Sequence, residues 1–372
     1  MDFSSTSEAA EAAALAATIL ADHCTPDRLR AAEREQDRFD PRLWAVLADA
    51  GLLALTAPES AGGSGLGLLE LCGVLVEVGR AVSPVPLGVH AVTASALARF
   101  GSPEQQARWV PPAADGEAVL TTALAEDRRH APHDPVTAAE LTGVTWQLTG
   151  SKVAVPAATR ADLFLVPASA SEGLTVFLVH ADDPGVHVSR QVLSGGEAVG
   201  RLELDRAVIP VERVLGTVGG GLAVCDWLEQ WLTVAVCAEQ LGTLEGALSL
   251  TSSYAKSREQ FGRPIGTFQA VSQRLADCYI DVLGARLTMW QAAWRLAEDL
   301  PARAEVAVAK LWAADAGHRV AHTTVHVHGG VGIDLDGEAH RYFTAAKRHE
   351  LELGGTTEQA RTLGLLLAEE PA

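Results

Sequence analysis

Apolar residues recur at helical spacing in the first third of the chain, between residues that cap helices. The polar residues at 7–11 predict a helix start, and this helix must end before Pro26, because proline has no amide hydrogen to offer a helix interior. Asp40 followed by Pro41 is typical of an N-cap and a first helical residue. Leu43, Trp44 and Leu47 then share one face. The pattern therefore predicts an amphipathic helix from Pro41 onward.

Two further helices are predicted before residue 116. An apolar run at helical spacing covers residues 68–76. Ser102, Pro103 and Gln105 combine an N-cap, a first-turn proline and a polar residue at the third helical position. This combination is typical of a capping box, in which both side chains satisfy free backbone amides.

After Gly116 the pattern changes to short runs of alternating or β-branched residues separated by turn residues. Runs of this length and spacing predict a compact β domain whose strands are mainly antiparallel. The runs cover residues 119–122, 145–149, 163–166, 174–179 and 200–204.

Helical periodicity returns at Gly221, after a glycine turn at 219–221. No G-x-G-x-x-G between a strand and a helix accompanies this turn, and strands do not alternate with helices, so a doubly wound dinucleotide fold is excluded. The predicted fold class is mainly α with a central β domain. The predicted domains are an N-terminal helical domain (1–116), a middle β domain (117–218) and a C-terminal helical bundle (219–372).

Composition limits the partners of the chain. Of its 372 residues, 48% are hydrophobic and 20% charged, which suits a globular protein with a large core. Lys and Arg number 29 against 47 Asp and Glu, so the formal net charge is −18. We therefore expect no nucleic acid and no anionic membrane among its partners.

Cysteine usage and hydropathy point to an intracellular protein. No two cysteines form a C-x-x-C pair, and their number is odd, so we expect reduced, buried thiols. No apolar run approaches the roughly 18 residues that a membrane span needs. We expect a cytoplasmic protein. The cysteines are Cys24, Cys72, Cys225, Cys237 and Cys278.

Five groups of segments, in order along nearly the whole chain, resemble the acyl-CoA dehydrogenase family. Each falls in the helical or strand region where the family has it, so together they identify the fold more strongly than any one alone. The segments are 101–105 with 116–117, 148–152 with 161–162, 208–210 with 214–216, 254–265 with 268–269, and 328–332.

The resemblance implies an acyl-CoA dehydrogenase fold: an N-terminal helical domain, a middle β domain and a C-terminal four-helix bundle. It also implies FAD bound where two subunits meet. Members oxidise acyl-CoA thioesters: a Glu carboxylate removes the α proton while the β hydrogen leaves as a hydride to the flavin. This chemistry needs a base on one side of the substrate and a flavin on the other.

One half of the cofactor site, which we call the outward half-site, resembles the family's closely. The Arg and Phe of the family's R-x-x-F motif and the Gln after it reach the neighbouring subunit's FAD, and here they are Arg258, Phe261 and Gln269. A guanidinium suits this role because it can hold a pyrophosphate by two parallel hydrogen bonds. In the last segment His326 replaces the usual Gln and can still donate a hydrogen bond. Two glycines complete the half-site by letting backbone approach the cofactor: Gly329 and Gly330.

The other half, which we call the inward half-site, departs from the family. Where members have a T-E-P-x-A-G-S-D loop around the flavin, residues 123–130 read A-L-A-E-D-R-R-H. The loop that normally reads aromatic-Ile-Thr-Asn has become A-V-P-A at 154–157. The stacking ring and the hydroxyl donor are both missing, and Pro156 also lacks an amide hydrogen. The resemblance therefore implies FAD shared with a partner subunit.

The catalytic Glu is absent from both positions that the family uses. The C-terminal E-G-T motif corresponds to L-G-G-T at 353–356, so Leu353 or Gly354 stands at the Glu position, depending on a one-residue gap. Some relatives carry the Glu 26 residues before the Arg of R-x-x-F, where this chain has Leu232. We therefore predict no catalytic residue in this chain.

Other titratable residues have simpler interpretations. Glu352 and Glu229 are the acids nearest to the two positions, and we expect each to be solvated or salt-bridged. His318, His322 and His326 share a helix face at a spacing that can bind metal. No carboxylate or Cys joins them in the sequence, so we expect packing and no metal site.

An intact outward half-site with a changed inward half-site resembles the non-catalytic β subunits of actinobacterial α2β2 steroid side-chain acyl-CoA dehydrogenases. The resemblance implies a catalytic α subunit as partner, which binds most of the acyl-CoA substrate, and steroid catabolism as the context. Three alternatives stay open. They are a self-sufficient homotetrameric dehydrogenase using Glu352, a flavin monooxygenase on the same fold, and a non-enzymatic CoA-binding or scaffold protein.

Overall fold

The computed structural model describes residues 6–128, 131–196 and 198–369. Helices occupy both ends of this sequence, as the periodicity predicts. The first group is α1 (Ser7–His23), α2 (Pro26–Arg34), α3 (Pro41–Asp49), α4 (Leu68–Arg80), α5 (Leu87–Phe100) and α6 (Pro103–Ala114). The second group is α7 (Gly221–Ser257), α8 (Gln269–Ala297), α9 (Arg303–His328), α10 (Ala339–Leu351) and α11 (Thr356–Glu369).

The strands lie between the two helical groups, apart from one short hairpin after α7. They are β1 (Leu120–Thr122), β2 (Ala138–Thr142), β3 (Thr145–Pro156), β4 (Leu163–Ala170), β5 (Gly173–His180), β6 (Val186–Val192), β7 (Ala198–Pro210) and β8 (Val214–Leu215). The hairpin pairs β9 (Glu259–Gln260) with β10 (Arg263–Pro264).

The predicted helix starts are confirmed. An oxygen of Asp40 accepts hydrogen bonds from the amides of Arg42 and Leu43, at 2.9 and 3.1 Å. Ser102 and Gln105 form the predicted capping box, each side chain accepting from the other's backbone amide. These local hydrogen bonds stabilise the helix ends that packing alone leaves unsatisfied.

Strands β1 to β8 form one sheet with the order β6-β7-β3-β2-β4-β5-β8, and β1 also pairs with β4. Its pairings are antiparallel except those of β1 and β2 with β4, so the predicted mainly antiparallel pairing of the strands is confirmed. Buried residues such as Trp146, Phe164 and Phe177 form its core. The long β3–β7 pairing is irregular between Lys152 and Val155, which overlaps the start of the predicted flavin-facing loop at 154–157.

By packing, the chain divides into two compact units. One unit, which contains most of α7 with α8 to α11, comprises residues 1–29, 68–83 and 233–372. The other, which contains the sheet, comprises residues 30–67 and 84–232. The predicted domains are instead divided by element type, with boundaries at residues 116 and 218. That division stays a prediction.

Within the helical unit, polar contacts fix α7 against α9 and α10. The side-chain amide of Gln240 on α7 donates to the carbonyls of Ala313 and Ala346, at 3.2 and 3.1 Å. Gly317 gives this amide room, since a Cβ there would lie 1.9 Å from its nitrogen. Such buried hydrogen bonds fix the relative positions of helices whose other contacts are apolar and non-directional.

All five cysteines are free thiols, and Cys72, Cys225, Cys237 and Cys278 are buried, as expected. Burial raises the pKa of Cys225 and of Cys237 to about 12, so both thiols stay protonated at neutral pH. Among the described residues, no helix combines the length and apolarity required to span a membrane.

Candidate functional site

Arg258 immediately follows the last residue of α7. Its amide donates to the carbonyl of Tyr254 and its carbonyl accepts from the amide of Ile265, both at 2.8 Å, so its backbone is fixed. Its side chain is exposed. Within the described part of the chain, the guanidinium makes no hydrogen bond and no ion pair. Arg258, which is predicted to bind the pyrophosphate of FAD, therefore has a fixed backbone and an accessible guanidinium.

Phe261 lies at the tip of the β9–β10 hairpin. Both turn residues, Phe261 and Gly262, have positive φ, at 54° and 78°, which is the pattern of a type I′ turn. Asn, Asp or Gly is the usual choice at the first of these positions, because a larger side chain strains the backbone there. The Phe261 ring is nevertheless 93% exposed. A strained, exposed aromatic residue is typical of a contact position.

A depression of about 260 Å³ lies beside this hairpin. Phe261 and His326 line it, so the structure brings two of the predicted site residues together. Phe268 and Arg274 also line it, although neither was among the predicted site residues. Arg263 lies over the Phe268 ring, 4.3 Å from its centre, which favours a fixed ring orientation.

The remaining predicted residues lie at the ends of helices, outside the lining of this depression. Gln269 is the first residue of α8 and is exposed. Gly329 ends α9 with φ 64° and ψ −140°, a conformation that requires glycine. A Cβ at Gly329 or Gly330 would meet no described atom within 4 Å. The backbone here is open to the close approach that the sequence predicts.

In the inward half-site, Arg129 and His130 lie outside the described residues, whereas Glu126 is described and is buried. Its carboxylate accepts from the Lys152 ammonium at 2.8 Å, from the Thr137 amide and hydroxyl at 2.9 and 2.6 Å, and from the Val136 amide at 2.7 Å. Burial acts to raise the pKa of Glu126, but these donors outweigh it and lower that pKa to about 2. The pairing of Glu126 with Lys152 was not predicted from the sequence.

Other polar groups of the inward half-site are also engaged within the sheet unit. Arg201 contacts Asp127 at 3.1 Å and donates to Ser151 at 2.9 Å. The amide of Ala154 donates to the side-chain oxygen of Gln191 at 2.9 Å. Ala154 itself has φ 51°, so this stretch of β3 leaves the regular strand conformation. The loop groups that would face a flavin are thus bonded to their own chain.

The two predicted positions of the base hold no carboxylate. Leu353 and Gly354 follow α10 with φ 57° and 94°, and Leu232 is buried on α7. Removal of an α proton requires a group that can accept it in the transition state. Neither leucine nor glycine offers one.

Glu352 and Glu229 each lie beside basic side chains of their own chain. Glu352 lies 3.8 Å from Arg348 and from His349. Burial acts to raise its pKa, but the contact with His349 and the charge of Arg348 outweigh it, so the pKa of Glu352 is lowered. A carboxylate whose pKa is lowered is a weaker base. Glu229 lies 3.5 Å from His133.

The three histidines of α9 have different surroundings. The expectation that no carboxylate joins them is wrong for His318, whose Nδ1 lies 3.2 Å from Glu350, because α10 packs against α9. The His322 ring packs edge-on against Phe343. The one group of possible metal ligands found among the described residues lies elsewhere and comprises His180, Asp182 and Asp183. Arg213 contacts both oxygens of Asp183, at 2.7 and 2.8 Å, and already compensates its charge.

Comparisons with known proteins identify the family. Sequence models of the acyl-CoA dehydrogenase N-terminal and C-terminal domains match residues 6–117 and 219–364. The chain is 49% identical over 381 residues to acyl-CoA dehydrogenase FadE27 of Mycobacterium tuberculosis, with 100% of each chain covered. The chain therefore belongs to the acyl-CoA dehydrogenase family, which confirms the resemblance and the fold class.

Two solved structures are similar over nearly the whole length. One is a chain of the ChsE4-ChsE5 complex from Mycobacterium tuberculosis, with 49% identity, a TM-score of 0.95 and 100% of both chains covered. The other belongs to a variant of the Tcur3481-Tcur3483 steroid ACAD, with 43% identity, a TM-score of 0.91 and coverage of 97% of this chain and 98% of that one. Both solved structures carry the names of two components.

Proposed function

We propose that this chain is the non-catalytic subunit of an FAD-dependent acyl-CoA dehydrogenase and completes the FAD site of a catalytic partner. One contrast carries the proposal. At the outward half-site the polar side chain of Arg258 is unpaired within the described residues, while at the inward half-site Glu126, Asp127 and the Ala154 amide are bonded to their own chain. An exposed guanidinium that its own chain does not engage is available to bind an anionic group from outside.

The outward residues fit an FAD supplied largely by the partner. Arg258 would hold the pyrophosphate through two parallel hydrogen bonds, and His326 and Gln269 would donate further hydrogen bonds. The open backbone at Gly329 and Gly330 leaves room for the cofactor. When bound, FAD accepts the hydride in the oxidation. This chain's own groups bind and orient the cofactor, while the partner would supply the base.

The proposed partner is a second chain of the same family, in an α2β2 complex. The two similar solved structures support this, since both are named as two-component assemblies. The name "steroid ACAD" carried by one of them supports a steroid side-chain CoA thioester as substrate, bound mainly by the partner. The missing base supports the same division of roles, because a chain without a base needs another chain to supply it.

The self-sufficient alternative depends on Glu352. Its oxygens lie within 3.8 Å of Arg348 and of His349, both of which favour the ionised carboxylate. These contacts lower the pKa of Glu352, as described above. A base of this kind accepts a proton weakly, so the structure favours the two-chain function over this alternative.

The flavin content of purified protein tests the proposal. We expect the chain expressed alone to contain little or no FAD and to show no acyl-CoA dehydrogenation. Co-expressed with a catalytic acyl-CoA dehydrogenase chain that retains the Glu and the flavin loop, it should copurify with that chain and with FAD, and the complex should be active. The measurements are absorbance in the flavin bands and the rate of dye reduction with an acyl-CoA substrate.

The partner chain expressed alone is the control, and it should hold FAD less tightly than the complex. A yellow and active homo-oligomer of this chain would contradict the proposal. A complex that forms without FAD and without activity would also contradict it, in favour of a scaffold role.

A further inference from the structure

Two rings stack where the helices α7 and α9 end. Tyr254 lies in the last turn of α7, and His328 is the last residue of α9. Their ring centres are 4.3 Å apart and their planes differ by 22°. His328 is buried and Tyr254 is half-buried, so the contact is largely shielded from solvent. We call this contact the Tyr254–His328 stack.

Each ring stands next to a group of the outward half-site. Arg258 lies about one helical turn beyond Tyr254, and its amide donates to the Tyr254 carbonyl at 2.8 Å. Gly329 follows His328 directly, and Gly330 comes next. The stack therefore joins the segment that carries the guanidinium to the turn whose backbone is open to the cofactor.

The orientation of the His328 ring is fixed by its own helix. Its Nδ1 donates to the carbonyl of Thr324 at 2.8 Å, since a carbonyl can only accept. The chain after the glycine turn also folds back onto this residue, because a Cβ at Gly332 would lie 3.1 Å from the Cβ of His328. His328 therefore supports the glycine turn on one side and faces Tyr254 on the other.

A second contact between the two helices lies about one turn earlier. The hydroxyl oxygens of Thr251 on α7 and Thr324 on α9 are 3.2 Å apart, and both residues are buried. The stack continues this contact to the last turn of each helix. Helix ends fray more easily than helix interiors, because their last carbonyls lack partners within the helix. The stack limits fraying at both ends together.

We propose that Tyr254 and His328 are positioning residues, which hold Arg258 and the turn at Gly329 and Gly330 at the separation that FAD requires. Two parallel hydrogen bonds to a pyrophosphate require donor–acceptor distances of about 2.7–2.9 Å, so a displacement of about 0.5 Å already weakens them. The inference rests on the proposed function, because Arg258 and the two glycines are groups through which this chain would bind the partner's FAD.

FAD affinity of the complex with the catalytic partner tests the inference, with Tyr254→Leu as the main variant. An aromatic pair contributes more than the burial of its surface, so loss of the stack should raise the FAD dissociation constant by a factor of about 3–10. Tyr254→Phe keeps the ring. Within the described chain the Tyr254 hydroxyl has no hydrogen-bond partner, so this variant should bind FAD like the wild type. Titration of FAD into each apo complex, followed by flavin fluorescence, measures the change.

Another stack on α7 provides the matched control. The ring centres of Trp227 and Trp231 are 4.3 Å apart and their planes differ by 25°, and the pair lies about seven helical turns before Arg258. Trp231→Leu should lower the melting temperature, as Tyr254→Leu does, but should leave the FAD affinity unchanged. If Tyr254 only stabilised the fold, the two variants would agree in both measurements, which would contradict the inference.

Two further variants test each end of the stack. His328→Leu removes the other ring and should weaken FAD binding at least as much as Tyr254→Leu, because the hydrogen bond to Thr324 is lost as well. In an Arg258→Ala background, the effect of Tyr254→Leu should fall to a factor of about 2, because one of the groups that the stack positions is then missing. The remaining factor is the part that acts through the glycine turn.

The outcomes separate this inference from the proposed function. Equal FAD affinity of the wild type and Tyr254→Leu would contradict the inference and leave the proposed function intact. The same effect of Tyr254→Leu with and without Arg258 would also contradict it, because the stack would then act elsewhere. A wild-type complex that binds no FAD would overturn the proposed function, and the inference with it.

Discussion

The ammonium nitrogen of Lys310 lies 2.8 Å from the carbonyl oxygen of His349, where it caps the C-terminal end of α10. It also donates to the carbonyl of Glu350 at 3.2 Å, and its side chain is fully buried. The last carbonyls of a helix lack partners within the helix, and a cation there also interacts favourably with the helix dipole. Lys310 thereby fixes the start of the loop that contains Leu353 and Gly354, the two residues predicted to stand at the position of the family's catalytic Glu.

We expect Lys310→Met to lower the free energy of unfolding by about 2–3 kcal/mol, because two buried carbonyls lose a charged donor while the side-chain volume is nearly kept. Urea unfolding measures this change. Lys347→Met is the matched control. Lys347 pairs with Glu350 on the same helix but is partly exposed, so its loss should cost less than about 1 kcal/mol. Equal effects of the two substitutions would show that Lys310 is not a cap.

Removal of the Arg258 guanidinium should weaken FAD binding by the assembled complex. A charge-assisted contact of this kind contributes on the order of 1.5–3 kcal/mol, so Arg258→Ala should raise the FAD dissociation constant by roughly one to two decades. Arg258→Lys should restore only part of the affinity, since an ammonium keeps the charge but cannot donate two parallel hydrogen bonds. Titration of FAD into the three apo complexes is the measurement. The same affinity in all three would mean that Arg258 does not touch the cofactor.

Glu352→Gln should leave kcat of the complex nearly unchanged if this carboxylate only pairs with Arg348 and His349. Loss of a true catalytic base lowers the rate by several orders of magnitude. Steady-state rates at saturating acyl-CoA and FAD distinguish the two cases. Glu→Gln substitution of the catalytic base proposed for the partner chain is the positive control and should abolish turnover.

The buried imidazole of His90 should make stability depend on pH. Its Nδ1 accepts from the Leu120 amide and its Nε2 faces the carbonyl of Ala113, both at 3.1 Å, so the neutral ring satisfies both groups. Burial lowers the pKa of His90 from 6.5 to about 4, and the Ala113 contact opposes this only partly. The folded state therefore favours the neutral form. The contribution of neutral His90 to the free energy of unfolding is complete above about pH 6.5 and is lost as the pH falls towards 4.

Urea unfolding at pH 7 and pH 5 tests this dependence. We expect the wild type to lose on the order of 1–2 kcal/mol between these values because of His90. His90→Gln should be less stable at pH 7 but should lose less on acidification. The same loss in both proteins would mean that other groups set the acid sensitivity.

The helix starts were predictable because their causes are local. Asp40 and Ser102 are bonded to amides two or three residues away, so the sequence contains both partners of each contact. Helix α5 was not predicted. Its residues are buried on almost every side, so it has no polar face to give an amphipathic period. Strand β2 was missed for the opposite reason, because nearly all of its residues are exposed.

The outward half-site rests on a short motif, and its residues stay a prediction. Arg258, Phe261 and Gln269 lie within twelve residues of one another, and their order is retained from the family. The bonding of the inward half-site was not predictable. Lys152 reaches Glu126, and Gln191 reaches Ala154, only because the strands β3 and β6 carry them there. Distances of this kind depend on strand register, which the sequence pattern does not specify.

The hairpin that carries Phe261 has a consequence for how the protein is made in the cell. The tight turn holds Phe261 in the left-handed region, and its exposed aromatic ring gains free energy when another surface covers it. In the proposed complex the partner chain would cover this ring, so a newly synthesised chain would expose it until the partner binds. The yield of folded protein should then depend on how soon the partner chain is translated. Synthesis of both chains from one transcript would shorten the time for which the ring is exposed.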